Sequence, residues 1–183
     1  MLKRLFDIFF SGLGFILLIP FFLIIAIWIK LDSRGPVFYR GLRVGLHGKP
    51  FRIFKFRSMV EDAEKKGPSS TTFSDQRQTK SGGFIRKYKL DEFSQLINVF
   101  IGDMSLVGPR PEVQKFIDQY TEEEKNILTV RPGITDFASI KFHNEGEIIE
   151  KSGITDADEA YVKLMRPEKL RLQMRYVKSK MYF

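Results

Sequence analysis

Leu90-Asp91-Glu92-Phe93-Ser94-Gln95-Leu96-Ile97-Asn98-Val99-Phe100, followed by Gly102-Asp103-Met104-Ser105-Leu106-Val107-Gly108-Pro109-Arg110-Pro111-Glu112, opens on two adjacent carboxylates and leads to an arginine held between prolines. From Phe84 to Ile101 the apolar positions Ile85, Tyr88, Phe93, Leu96, Ile97, Phe100 and Ile101 recur mostly every three or four residues, which predicts a helix. On it Asp91 and Glu92 would point about 100° apart, so both need not face one atom. Gly102 is placed to end the run. Arg86, Lys87 and Lys89 stand just before the acids. A helix start adds free N–H groups and partial positive charge. Carboxylates, cations and a helix start together suit chemistry on phosphates with a divalent metal between the anions. Pro109 and Pro111 stiffen the chain around Arg110, which suits a bidentate phosphate contact.

Working outward, Pro36–Arg40 reads as a short strand and Phe51–Met59 alternates aromatic and basic residues, so the two predict a β-hairpin. Lys55 and Arg57 share a face and could reach one phosphate, whereas Arg52 reads as solvated. Gly67–Gly83, rich in Gly, Ser, Thr and Gln, reads as a mobile loop of the lid or ligand kind, with a plain solvated loop as the alternative. Thr121-Glu122-Glu123-Glu124 carries a capping box, so its acids read as capping and solvated. Arg131-Pro132-Gly133 is a turn with a positioned cation. His143, Asn144 and Glu145 read as loop residues that could touch a sugar. Leu170, Met174 and Val177 form an apolar stripe opposite Lys169, Arg171, Arg175 and Lys178. Such a helix suits either anionic lipid or the core.

At the N-terminus no charged residue occurs from Ile8 to Ile29. That is long enough to cross a bilayer, which needs about 20 apolar residues. No small-residue cleavage site follows it, so it does not read as a cleavable signal. Lys3 and Arg4 precede it and Lys30 and Arg34 follow, so positive charge favours both ends on one side. Pro20 removes a helix hydrogen bond mid-segment, and a bend there would return the chain to the face it entered. A spanning helix is the competing possibility, because such helices tolerate proline.

The 183 residues suit one domain with one membrane element, and the absence of cysteine excludes disulfides and thiolate metal sites. Two histidines far apart disfavour a zinc site. The net charge of +8 is uneven: residues 33–89 hold 14 Lys/Arg against 4 Asp/Glu, whereas residues 90–158 hold 6 against 14. A basic block beside a hydrophobic segment favours an anionic membrane or phosphate-rich substrates. No aromatic-basic recognition motif accompanies it, so nucleic acid is not an expected partner.

Six segments in order carry a resemblance. They are Asp32-Ser33-Arg34-Gly35-Pro36-Val37-Phe38, Phe54-Lys55-Phe56-Arg57-Ser58-Met59, Asp75-Gln76-Arg77-Gln78-Thr79, the Asp91-Glu92 pair, Gly108-Pro109-Arg110-Pro111 and Val130-Arg131-Pro132-Gly133-Ile134-Thr135. With the N-terminal segment, they resemble the small monotopic phosphoglycosyl transferases of bacterial surface-glycan assembly over nearly the whole chain. The resemblance implies a mainly helical α+β fold. Residues 1–32 would form a re-entrant anchor helix and residues 33–183 a catalytic domain on the cytoplasmic face of the inner membrane, with amphipathic interfacial helices. It implies transfer of a phosphosugar from a UDP-sugar to a polyprenyl (undecaprenyl) phosphate, with membrane lipids as surroundings and Mg²⁺ as cofactor. Asp91 would be the nucleophile, forming a covalent aspartyl phosphosugar and releasing UMP. Glu92 would bind metal or act as base, so that Asp91 and Glu92 form the metal pair. Lys55, Arg57, Arg77, Arg86, Arg110 and Arg131 would bind substrate. The family breaks its anchor at a Ser-Pro pair where this chain has Ile19-Pro20, has glycine where this chain has Asp136, and continues beyond Phe183. The rival to catalysis is a membrane-anchored basic scaffold binding anionic lipid or nucleic acid.

Overall fold

One helix, α1 (Leu2–Asp32), takes in the whole apolar segment and is unbroken at Pro20. The expected interruption is therefore absent from the helix itself. The computed structural model describes residues 2–180, so the C-terminal Met181-Tyr182-Phe183 lies outside the described residues. Among the described residues, α1 alone is long and apolar enough to cross a membrane. At 1.5 Å per residue it is roughly 46 Å long.

The helix lies against the rest of the protein along that length. Near its start, Asp7 is buried and accepts hydrogen bonds from Ser105 Oγ at 2.8 Å and Leu106 N at 3.1 Å. Arg4 donates to the carbonyls of Val99 and Phe100 at 2.6 and 2.9 Å. Midway, Gly12 lets Phe100 come close; a Cβ there would lie 3.2 Å from its ring. Phe22, Ile25 and Ile29 then bury against Phe56 and Ile85. At the far end, Asp32 accepts from Ser81 N at 2.9 Å and Ser81 Oγ at 2.8 Å. The opposite face leaves Phe9, Ile16, Leu17, Ile24 and Ile27 exposed, and Phe93, Phe100 and Ile101 extend that apolar surface.

Among the described residues, the remaining elements make a mainly helical α+β protein with three two-stranded sheets. Strands β1 (Phe38–Tyr39) and β4 (Lys55–Phe56) pair antiparallel, with Tyr39 opposite Lys55. Strands β2 (Leu42–Val44) and β3 (Pro50–Arg52) pair antiparallel inside that ribbon. The expected pairing of the two stretches is present between β1 and β4, but Phe51–Met59 is not one strand: its first part, in β3, pairs with β2 instead. Strands β5 (Ser105–Val107) and β6 (Gly133–Thr135) pair in parallel. Gly108, just after β5, meets Gly133, the first residue of β6: a Cβ on Gly133 would lie 2.1 Å from Gly108 N. Only glycines allow the two proline-rich turns to press together there.

The predicted helix Phe84–Ile101 is two helices. Helix α2 (Lys80–Lys87) is capped by Thr79 Oγ1, which accepts from Gly82 N at 3.0 Å. Lys89 then adopts a left-handed conformation, φ 57°. A 3₁₀ turn, Leu90–Gln95, and α3 (Leu96–Ile101) follow, ending at Gly102 with φ 105° as expected of a C-cap glycine. The Thr121–Glu124 capping box forms, although the helix it opens is 3₁₀.

Helices α4 (Gln114–Ile117), α5 (Phe137–Lys141), α6 (Glu145–Lys151), α7 (Ala157–Leu164) and α8 (Arg166–Lys180) complete the chain. The apolar stripe of α8 packs into the core: Leu170 and Val177 bury with Val44, Ile117, Tyr120 and Ile127, and Met174 packs against them. The core alternative therefore holds for this helix. The segment before α2 is tied down. Ser69 N and Ser70 N donate to Asp158 at 3.1 and 2.7 Å, and Ser74 Oγ donates to Glu150 at 2.7 Å.

Candidate active site

The left-handed Lys89 turns the chain so that Asp91 and Glu92 leave the 3₁₀ turn beneath β4. Lys55, on that strand, places its Nζ 2.9 Å from Glu92 Oε1 and 4.0 Å from Asp91 Oδ2. A 3₁₀ turn rotates about 120° per residue, which separates the two acids further than an α-helix would. Arg110 reaches Glu92 from the proline-rich turn. Its NH1 donates to Oε2 at 3.0 Å and its NH2 to Oε1, forming a two-pronged grip.

The acids consequently differ. Burial pushes the pKa of Asp91 up, making it less acidic than an ordinary carboxyl; Lys55 opposes the rise, and the neighbouring Glu92 charge adds to it. Burial also acts to raise Glu92, but Arg110 and then Lys55 overcome it, and its carboxyl stays well below the usual range. Burial pulls Lys55 down despite Glu92. The Glu92 charge raises Arg110 and keeps it cationic. Asp91 Oδ1 is buried without a hydrogen-bond partner. Both oxygens of Glu92 are occupied by cations, so Asp91 Oδ1 is the oxygen that fits a hard metal ion. Among the described residues no cluster of three or more Asp, Glu, His or Cys side chains converges. Any divalent ion here would therefore draw most of its ligands from water and a bound diphosphate, as Mg²⁺ commonly does.

Of the six cations expected to bind substrate, Lys55 and Arg110 are at the acidic pair. Arg86, on α2, is close enough for its charge to lower Asp91, and it donates to Thr71 Oγ1. Two are elsewhere. Arg57, just past β4, is buried and donates to the carbonyls of Ser33 and Arg34, fixing the exit from α1; those carbonyls, not the acidic pair, hold it. Arg77 is held by Asp75, NH2 to Oδ2 at 2.6 Å, and by the carbonyls of Ala63 and Pro68, both at 3.0 Å. It staples its own loop. Arg131 donates from Nε to Gly102 O at 3.0 Å, at the C-terminal end of α3, with no acid of the pair as partner.

Two groups that the sequence did not mark as site residues, Asp136 and Glu112, and one it marked only as a possible sugar contact, Glu145, support the cluster. Asp136 accepts from the main-chain N–H of Arg110. Glu145 pairs with the buried Lys169 and contributes to the field that holds Arg110 cationic. Buried Glu112 accepts from Tyr120 and Tyr161, which seat the proline-rich turn on the helical core. The Asp136-to-Ser139 cap spacing was a legible signal for the first of these.

The pattern of the family described as bacterial sugar transferase matches residues 1–181. The chain is 43% identical over 147 residues to "Uncharacterized sugar transferase EpsL" of Bacillus subtilis (strain 168), covering 78% of this chain and 70% of that protein. It is 42% identical over 142 residues to UDP-N-acetylgalactosamine-undecaprenyl-phosphate N-acetylgalactosaminephosphotransferase of Aeromonas hydrophila, covering 76% of this chain and 34% of that protein. It is 41% identical over 155 residues to UDP-glucose:undecaprenyl-phosphate glucose-1-phosphate transferase of Escherichia coli (strain K12), covering 82% and 33%. The chain thus spans about a third of the length of those two named transferases.

Proposed function

The chain belongs to the bacterial sugar transferase family, and from that premise we propose that it moves a phosphosugar from a UDP-sugar to a polyprenyl phosphate through a covalent intermediate on Asp91. The observation that carries this is the buried Asp91, less acidic than usual, beside a Glu92 fully engaged by Lys55 and Arg110. Two carboxylates driven apart in this way divide the labour. The more basic one attacks; the more acidic one holds the cations in place.

An Asp91 oxygen attacks the phosphorus that bears the sugar. The bond from that phosphorus to the bridging oxygen breaks and UMP leaves. A polyprenyl phosphate oxygen then attacks the same phosphorus, the bond to Asp91 breaks, and the carboxylate is restored with polyprenyl diphosphosugar as product. Splitting one displacement into two suits phosphoryl chemistry, where positioning and charge neutralisation dominate. Lys55, Arg86 and Arg110 supply positive charge to the phosphate oxygens. A bound Mg²⁺, held by Asp91 and the diphosphate, would neutralise further charge there. The engaged state of Lys55, Arg57, Arg77 and Arg110 disfavours the scaffold alternative, because these cations face carboxylates and carbonyls inside the protein rather than a displayed polyanion.

The acceptor is lipid-borne, and the long apolar face of α1 gives the site a membrane setting. Docking of α1 from Arg4 to Asp32 favours both ends on the side of the catalytic domain, hence a monotopic anchor on the cytoplasmic face rather than a spanning helix. Incubation of the protein with Mg²⁺ and a panel of UDP-sugars, without acceptor, tests the chemistry. One donor is expected to release UMP in amounts matching the enzyme and leave a phosphosugar on the peptide holding Asp91. A requirement for both substrates together before any UMP appears would overturn the two-step reading.

A further inference from the structure

Asp136 stands at the junction of three segments. Its Oδ1 accepts from Ser139 N at 2.6 Å, capping α5. Its Oδ2 accepts from Arg110 N at 3.2 Å and from Gln173 Nε2 of α8 at 3.3 Å. Asp136 and Gln173 are buried, 3% and 2% exposed. Nearby on α8, Tyr176 OH donates to Val107 O at 2.9 Å. Helix α8 therefore grips the stretch from Val107 to Arg110 twice, once directly and once through Asp136.

We propose that Asp136 is a positioning residue for the transfer: its carboxylate, backed by Gln173, fixes the main chain of Arg110 so that the guanidinium meets both oxygens of Glu92. Arg110 lies between two prolines, and Pro109 and Pro111 supply no N–H. The Arg110 amide is thus the one donor at the tip of the turn. A carboxylate acceptor makes the bond stronger than a neutral acceptor would, and a small rotation at the tip is magnified along the arginine side chain. A glycine at position 136 could offer no such acceptor.

The proposal rests on the reaction proposed above, and its test separates the two. Asp136→Asn retains an oxygen for Ser139 N and turns an amide toward Gln173, whose Oε1 lacks a partner and can accept after a flip. It leaves the Arg110 N–H facing a donor. Hydrogen exchange across residues 108–112 is expected to quicken in Asp136→Asn without any substrate present. UMP release is expected to slow about tenfold, the worth of one charge-assisted hydrogen bond. In an Arg110→Gln background the same substitution is expected to slow release no further. Gln173→Met, which removes only the outer bond, is expected to act in the same direction and more weakly, and it serves if Asp136→Asn does not fold. Unchanged exchange, unchanged release, or a full additional loss in the Arg110→Gln background would each overturn the positioning role. If the unaltered protein releases UMP from no donor, the reaction assigned above falls, and exchange at the Arg110 amide still judges the brace.

Discussion

Asp91 and Glu92 are neighbours with opposite acidities, and that difference is measurable as stability. Ionised Asp91 is disfavoured by burial in the folded state. Its folded value lies above its unfolded one, so the associated stability is full at low pH and is lost as pH rises. In metal-free buffer, Asp91→Asn is expected to melt above the unaltered protein at pH 7, with the gap closing below about pH 4. Glu92 is the reverse: its folded value is depressed, and its stabilisation is present at neutral pH and lost on acidification. Glu92→Gln is expected to melt below the unaltered protein at pH 7 and to converge with it in acid. In turnover, Asp91→Asn is expected to lose at least about 10³-fold, as loss of a nucleophile does. Arg110→Lys keeps the charge but not the fork and is expected to lose about 10²-fold, read as UMP release. At this scale the sequence was a good guide to residue type and a poor one to partnership. Asp91, Glu92, Lys55 and Arg110 converge as the spacing and the resemblance implied. Arg57 and Arg77 looked equally available, but nothing in a linear pattern shows that Ser33, Arg34, Ala63 and Pro68 turn their carbonyls toward them.

Elements were legible where periodicity decides and obscure where tertiary contact does. The helical period from Phe84 to Ile101 was real, yet Lys89 breaks it in the left-handed region. A break of that kind has no signature in a lysine. The stripe on α8 was visible, but its choice of core over lipid depended on Val44 and Ile127 from distant segments. Pro20 suggested an interruption that α1 does not show. The proposed one-sided placement of α1 rests instead on its polar clasps, Arg4 and Asp7 near its start and Asp32 at its end. A cysteine added at the N-terminus is expected to resist an impermeant reagent in intact spheroplasts; efficient labelling from outside would mean a spanning helix. At the other end, Asp32 serves α2 through Ser81. Asp32→Ala is expected to cost about 1 kcal/mol in denaturant unfolding, the usual worth of a helix cap.

The whole molecule joins an apolar flank to a catalytic interior without a boundary between them. Phe22, Ile25 and Ile29 of α1 share a cluster with Phe56 and Ile85, each next to or near a site residue: Lys55 and Arg86. The division into an anchor of residues 1–32 and a domain of residues 33–183 marks composition, not independent packing. A chain beginning at Ser33 is expected to lack that cluster and to aggregate, which sedimentation after expression would read directly. The uneven charge seen in the sequence also finds its place. The basic stretch before Leu90 meets the acidic stretch after it at the Lys55–Glu92–Arg110 cluster, so part of the charge asymmetry is spent inside the protein rather than displayed.

The clasp between Asp7 and the Ser105–Leu106 segment sets an order of events during synthesis. Its two halves are 98 and 99 residues apart. At ribosomal rates of about 5–20 residues per second, roughly 5–20 seconds separate their emergence. Throughout that interval α1 has no Ser105 to bind and no Phe56 or Ile85 to pack against for much of it, while its apolar face is already complete. A bilayer would offer that face an apolar medium in the interval. On the proposed membrane placement, the nascent helix would meet lipid first, and the later-made protein would assemble onto a helix already in place. A newly made chain would thus acquire membrane attachment well before it acquires a working site.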